Sequence, residues 1–388
     1  HKEYRRQRQM CIRDRNSAQA QQAVSIGNSA GANAQQSAAI AIGSNAGNTL
    51  QGTNAIAIGV QAGASLQSTG AIAIGFQAGQ TQQAINSIAI GANAGSLTQG
   101  SAAIAIGASF SATQGAPAYT AQGQFGIAIG VAAGGSTQGS AAIAIGLEAG
   151  EVSQGLISIA IGTRAGNQTQ SSQSIAIGYQ AGSTQQGASG IAIGFNAGGQ
   201  SQQSGAIAIG SAAGLTQQAI NSIAIGSSAG QSTQQSGAIA IGLSTGQSLQ
   251  GTNAIAIGIS AGTITQGINA IAIGNLAGAT QQGQNAIAIG ATFSATQGAP
   301  GTTFQGTNAI AIGTGAGAST QGSLSIAIGL EAAENAQGGA CIAIGQQSGN
   351  QSQGASAIAI GNNAGNSQQG VQAVAIGYLA AQTNQGQN

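Results

Sequence analysis

The stretch "SIAIGYQAGSTQQGAS", Ser174–Ser189, is followed at once by "GIAIGFNAGGQSQQSG", Gly190–Gly205. The two lines match at their isoleucines, at the Gly closing "IAIG", at the "AG" that follows and at one Gln. Working outward from them, the same line fills almost the whole chain. Taking the Gly that closes each "IAIG" (or "VSIG", "VAIG") as slot zero, those glycines are Gly27, Gly43, Gly59, Gly75, Gly91 and Gly107, then every sixteenth residue from Gly130 to Gly290 and from Gly313 to Gly377. That makes 22 repeats spaced by 16 residues, with two gaps of 23. Periodicity of this kind outranks any local signal in deciding a fold.

Each slot constrains the structure. Slot −1 is Ile in every repeat, and slot −3 is Ile except for Val24 and Val374. Slot −2 is Ala apart from Ser25, and slot −4 is always Ala, Ser, Gly or Cys341. Ile and Ala alternate with period two, the signature of a strand with one bulky and one small face. A helix cannot use this pattern, because residues i and i+2 do not share a helix face. Branched Ile also favours strands. Slot zero admits only Gly, which implies a positive φ or a backbone approach too close for any Cβ. Slot +4 is Gly in most repeats but Ala at Ala333 and Ala381, so smallness is expected to matter there more than a left-handed backbone.

Slot +8 is Gln in every repeat, and both 23-residue repeats keep it in phase, at Gln122 and Gln305. One polar residue per repeat makes sense if repeats stack at the ~4.8 Å strand spacing. Each amide then bonds the amides above and below. The expected ladder runs through Gln51, Gln67, Gln83, Gln99, Gln122, Gln138, Gln154, Gln170, Gln186 and Gln202, the alternative for each being a solvent-facing turn residue. The fold expected is all-β: a parallel β-solenoid with one 16-residue coil per repeat, about 22 coils over residues 16–388, and a rod roughly 100 Å long. With the two Ile and some Ala of each coil turned inward, the interior is thin. It cannot by itself offset the ordering of sixteen residues. The Ala strip at slots −2 and −4 offers a flat face on which another chain could pack, so an oligomer is expected.

Composition narrows function by exclusion. Only 3% of residues are charged and 3% aromatic, while 67 are Gly. Six of the seven basic residues fall within residues 1–15, "HKEYRRQRQMCIRDR", which match nothing downstream. This opening reads either as a basic arm for a polyanion or as foreign sequence like translated adapter runs. The second reading is preferred, and fold reasoning excludes the segment. From Asn16 onward Arg164 faces Glu148, Glu151, Glu331 and Glu334, a net charge of 1 − 4 = −3, with no basic stripe for nucleic acid. The one His lies in the opening, so no Ser-His or Cys-His nucleophile can be assembled in the body. No Cys/His cluster has metal-ligand spacing. No catalytic, metal or cofactor site is expected, and the chain is read as not an enzyme. No run of about 18 apolar residues could span a membrane. Cys11 and Cys341 form no disulfide framework, and Cys341 reads as a small buried side chain.

The two gaps of 23 carry near-identical inserts, "ASFSATQGAP" from Ala108 and "ATFSATQGAP" from Ala291, 183 residues apart. "GLEAGE" at Gly146 recurs as "GLEAAE" at Gly329 with the same offset, so a block of eleven coils was copied. The inserts, near 108–121 and 291–304, must leave the stack as surface loops. Their Phe110, Tyr119, Phe293 and Phe304 are candidate ligand contacts. The bland alternative is a spacer. The acid pairs Glu148/Glu151 and Glu331/Glu334 could hold a cation between coils but are expected to be solvated.

At "NSIAIGSSAG", Asn221–Gly230, the chain resembles the head repeats of YadA-like trimeric autotransporter adhesins, and equally the "IAIGxxAG" arrays of viral and phage fibre proteins. The resemblance covers residues 16–388. It implies a left-handed parallel β-roll, usually trimeric, displayed on a cell or virion surface and used for attachment, with the Ile slots and Gly zero matching the family's core line. The 16-residue period, fixed Gln and scarce charge depart from the bacterial version. No neck, coiled-coil stalk or anchor follows, as expected of a fragment. The functional expectation is a non-enzymatic, extracellular fibre or adhesin segment, homotrimeric, that presents binding sites to a host-surface protein or glycan and binds no nucleic acid. The alternatives are an ice-binding solenoid face, which lacks a recurring Thr column, and a purely architectural spacer.

Overall fold

The computed structural model describes residues 19–107, 121–290 and 304–386. The basic opening 1–15 and the insert residues Phe110, Tyr119 and Phe293 lie outside them. Among the described residues there is no helix. The chain is a parallel β-solenoid in which partner residues of successive turns lie about 16 positions apart. It divides into two units, His1–Gly190 and Ile191–Asn388.

In the first unit each coil carries a three-residue strand at slots −3 to −1, from Val24–Ile26 to Ile175–Ile177. A two-residue strand ends on the slot +8 Gln, from Leu50–Gln51 to Gln185–Gln186. The second unit repeats this from Ile191–Ile193 to Val374–Ile376 and from Ser201–Gln202 to Thr320–Gln321. Isolated parallel bridges such as Gln19↔Gln35 and Gln353↔Gln369 extend the glutamine column beyond those strands. All pairings are in register: Ile56 faces Ile72, Ala57 faces Ala73 and Ile58 faces Ile74. The 23-residue coils change nothing here, since Ile104 still faces Ile127 and Ile287 still faces Ile310.

The two faces of the Ile strand are reversed from the expectation. Ala at slots −4, −2 and +3 is the interior: Ala55, Ala57 and Ala62 are all 0% exposed. Isoleucines point outward, those at slot −3 part-buried and those at slot −1 part-buried or exposed, with Ile58 at 36%, Ile90 at 36% and Ile289 at 38%. The reason is the size of the coil. Its lumen already holds a glutamine side chain, with Gln51, Gln83 and Gln218 at no more than 1% exposure. Three small residues facing that amide fill the remaining width, so no room is left for two branched side chains per turn. The strip of Ala at slots −2 and −4 is therefore core and not a packing face for another chain.

Tight corners close the coil. Slot zero has φ between +121° and +134°. A Cβ on Gly59 would lie 2.5 Å from the carbonyl oxygen of Gly75 in the next coil, so both reasons for an obligatory Gly operate together. Slot +4 is left-handed in every described coil, including Ala333 (φ 49°) and Ala381 (φ 45°), so smallness is not the sole requirement there. Slots +2 and −5 are left-handed too, usually without Gly, as at Gln61 and Asn54.

Candidate functional site

Two features recur in coil after coil: the buried glutamine column and the exposed isoleucine columns. The glutamine column forms because slot +8 ends a strand whose pleat turns that side chain inward while slot +7 points out, as at exposed Leu50 beside buried Gln51. At a complete rung Nε2 reaches three acceptors. Gln67 Nε2 donates to Ile56 O (2.7 Å), Ala71 O (3.2 Å) and Gln83 Oε1 (3.1 Å). Two amide protons serve these three oxygens, so one is shared. The shortest bond goes to the slot −3 Ile carbonyl of its own coil and the other two to the next coil, which makes the amide a clip joining successive coils.

Amide-to-amide bonds run Gln51→Gln67→Gln83→Gln99, then Gln138→Gln154 and Gln170→Gln186. In the second unit they run Gln202→Gln218→Gln234→Gln250→Gln266. The column is interrupted: Gln122, Gln138, Gln170, Gln282, Gln305 and Gln337 each keep a buried Oε1 with no partner. From Gln35 to Gln385 every rung's Nε2 still holds a strand carbonyl, as Gln122 holds Ile104 O at 2.7 Å and Gln154 holds Ile143 O at 2.7 Å. The bond to backbone thus persists where the amide ladder breaks.

The isoleucine columns occupy the opposite side of the same short strand. A third column, slot +1, lies one Gly beyond slot −1 and carries exposed bulky residues at Val60, Phe76, Leu147, Leu243 and Ile259 and polar ones elsewhere. Phe304, expected in an insert loop, lies instead in the Phe304–Gln305 strand at slot +7, paired with Gln281 and Thr320 and 48% exposed. The acid pairs are tied to the next coil. Arg164 Nε donates to Glu148 Oε2 at 2.6 Å, and Asn167 Nδ2 to Glu151 Oε2 at 2.8 Å. Gln347 and Asn350 do the same for Glu331 and Glu334, at 2.8 and 3.0 Å. No group of three or more His, Cys, Asp or Glu is placed to hold a metal among the described residues. Cys341 is fully buried, its Sγ donating to Gly354 O at 2.9 Å, and burial pushes its thiol pKa up. No helix among the described residues is long and apolar enough to cross a membrane.

Compared with known families, curated proteins and solved structures, the chain matches none.

Sequence reasoning placed the functional columns but assigned the wrong one to the outside. The signal was present: slot −2 is Ala with a single Ser, whereas an outward slot such as +1 ranges from Asn28 to Tyr378. Restriction to the smallest side chains marks a crowded interior as surely as bulk marks an oily one.

Proposed function

We propose that this chain is a structural fibre or adhesin segment, displayed on a cell or virion surface, whose copies associate side by side along the isoleucine columns as a homotrimer. One observation carries the reading. The isoleucines that repeat without variation in slot −1 are the ones the coil leaves facing outward. Contiguous apolar surface beyond a few hundred Å² marks an interaction site in soluble proteins. Ten successive slot −1 isoleucines in the first unit, flanked by the slot −3 column, make such a surface. A second copy of the same chain offers a partner with matching spacing at every rung, which favours self-association over a heterologous ligand.

The test is the molar mass of the chain by light scattering, beside Ile74→Lys and Ile90→Lys, both exposed and in the first unit. Both positions are solvent-facing enough for the fold to survive, which circular dichroism checks. The expected result is a trimer reduced to monomer by the two lysines together; a folded wild-type monomer refutes the assembly. Binding of the trimer to cells or to glycans tests attachment. An intact trimer that binds neither returns the role to that of a spacer.

A further inference from the structure

Residues 183 apart occupy the same place in the two copies of the eleven-coil block, so the block records which surface residues tolerated change. At slot +1, Val60 corresponds to Leu243, Phe76 to Ile259, Leu147 to Leu330 and Phe195 to Tyr378. Three of these four pairs changed identity, yet every member is still bulky. All are exposed, Val60 at 46%, Phe76 at 51%, Leu243 at 51% and Ile259 at 55%. Small or polar rungs of the column kept their character as well: Asn28 corresponds to Ser211, Ser44 to Ser227 and Thr163 to Gln346. Two pairs, Val131 with Thr314 and Tyr179 with Asn362, lost the bulky residue in one copy. Other exposed apolar residues fared differently. Leu50 corresponds to Thr233, Phe125 to Asn308, Leu156 to Gly339 and Ile157 to Ala340. Leu66 and Ile85 recur as Leu249 and Ile268, but an unchanged letter needs only the copying. Replacement of one exposed bulky residue by a different one, rung for rung, needs a constraint.

We infer that the bulky slot +1 residues set the register in which copies of this chain associate, each meeting its own counterparts at the same height. The inference rests on the side-by-side association along the isoleucine columns proposed above. That association is what makes a register device necessary. Slot −1 is Ile at every rung, so copies displaced by a whole rung still set isoleucine against isoleucine and give up contact only at the end of the overlap. A uniform repeat leaves its register open until a distinct residue fixes it, as a single odd side chain does in the seam of a coiled coil. Slot +1 lies one Gly beyond slot −1, as in Ile58-Gly59-Val60, so it continues the same apolar band, and it is not uniform. In the first unit its bulky rungs include two neighbouring pairs. Gln77 N donates to Val60 O at 2.9 Å and Glu148 N to Val131 O at 2.9 Å, which seats the Phe76 coil on the Val60 coil and the Leu147 coil on the Val131 coil. With copies level, all four residues meet their like. A slip of one rung sets Val60 on Phe76 and Val131 on Leu147, but it leaves Phe76 on Ala92 and Leu147 on Thr163. A second copy is the occupant this column fits, because it carries the same order of bulky and small rungs at the same spacing.

Cryo-electron microscopy of the full chain assembled in solution reads the register directly. The expected wild-type assembly has Phe76 of each copy beside Phe76 of its neighbours, at one height. The comparison is a chain carrying Val60→Ser, Phe76→Ser, Val131→Ser and Leu147→Ser in the first unit and Leu243→Ser, Ile259→Ser and Leu330→Ser in the second. It should still form trimers, with copies displaced along the rod by whole rungs of ~4.8 Å. Wild-type trimers whose slot +1 residues face solvent, and so are open to a different partner, overturn the inference. So do wild-type trimers in which slot +1 meets another column, and a serine variant that keeps the wild-type register. In these cases the homotrimer itself stands. A serine variant that is folded but monomeric also overturns it, since slot +1 then supplies strength and not register. A wild-type monomer overturns both readings together. If the serine variant fails to fold by circular dichroism, the wild-type assembly still decides.

Discussion

The glutamine column makes a rank-order prediction inside one molecule. Gln234 is saturated: its Nε2 donates to Ile223 O at 2.6 Å, Ala238 O at 2.9 Å and Gln250 Oε1 at 3.1 Å, and its Oε1 accepts from Gln218 at 3.3 Å. Gln337 has only the bonds to Ile326 O and Gln353 Oε1, both 3.0 Å, and its own Oε1 is buried without a partner. Methionine is close in length and shape, so Gln→Met removes the polar bonds with little change in packing. At Gln234 two donated protons and one accepted bond are lost, about 3 kcal/mol at ~1 kcal/mol each. At Gln337 two donated protons are lost while an orphan oxygen disappears, a gain of ~1 kcal/mol or more, so the net loss is about 1 kcal/mol. Long repeat arrays need not unfold in two states. The reading should therefore be local, by native-state hydrogen exchange of the amides in the substituted coil and its two neighbours. Gln234→Met should speed exchange there by roughly 10²-fold and Gln337→Met by roughly 5-fold. Equal effects, or a Gln234→Met loss below ~1 kcal/mol, would refute the claim that these amides fasten the coils.

Three further outcomes follow from the corners, the thiol and the ion pair. Gly258→Ala puts a Cβ 2.6 Å from Gly274 O at φ +127°, and Gly262→Ala puts one 3.1 Å from the movable Gln266 Oε1 at φ +53°. The first should lose ~3 kcal/mol or more from strain plus displacement, the second ~1 kcal/mol, as read by urea midpoints of the two variants. The Cys341 thiol is held above its ordinary value of 9.0 by burial, so between the two values the folded chain keeps a proton that the unfolded chain has lost. Stability present below pH 9.0 should then decline as pH rises further, and Cys341→Ser, the residue that Ser325 places in the same slot, should remove that slope in pH-dependent melting. Arg164→Gln should leave the melting temperature unchanged and insensitive to salt, because the guanidinium is solvent-exposed and its partner Glu148 is only part-buried.

The period, the strand, the register and the obligatory slot-zero Gly could all be read before any coordinates, because each leaves an invariant mark at fixed spacing. Facing direction could not be. Alternation of Ile with Ala defines two sides of a strand without saying which is wet, and the usual preference for burying the larger residue points the wrong way in a lumen this narrow. The left-handed turns at slots +2 and −5 were hidden for another reason. Side chains as different as Arg164, Leu276 and Glu331 adopt the same positive φ at slot +2, so no residue type announces it. In the glutamine column the residue type was legible, but its breaks were not. Gln99 and Gln51 are the same letter in the same slot, and only the neighbouring coil distinguishes them.

The in-register pairing across both 23-residue coils carries a practical consequence. The sequence is seven residues longer between a slot-zero Gly and the following glutamine strand, and the rungs on either side keep their partners. That corner is thus a permissive graft point. A foreign epitope or peptide tag spliced there could be presented at any chosen rung, its separation from a second graft in the same unit set in steps of one strand spacing, ~4.8 Å. The architecture amounts to a molecular ruler with its mounting holes already drilled.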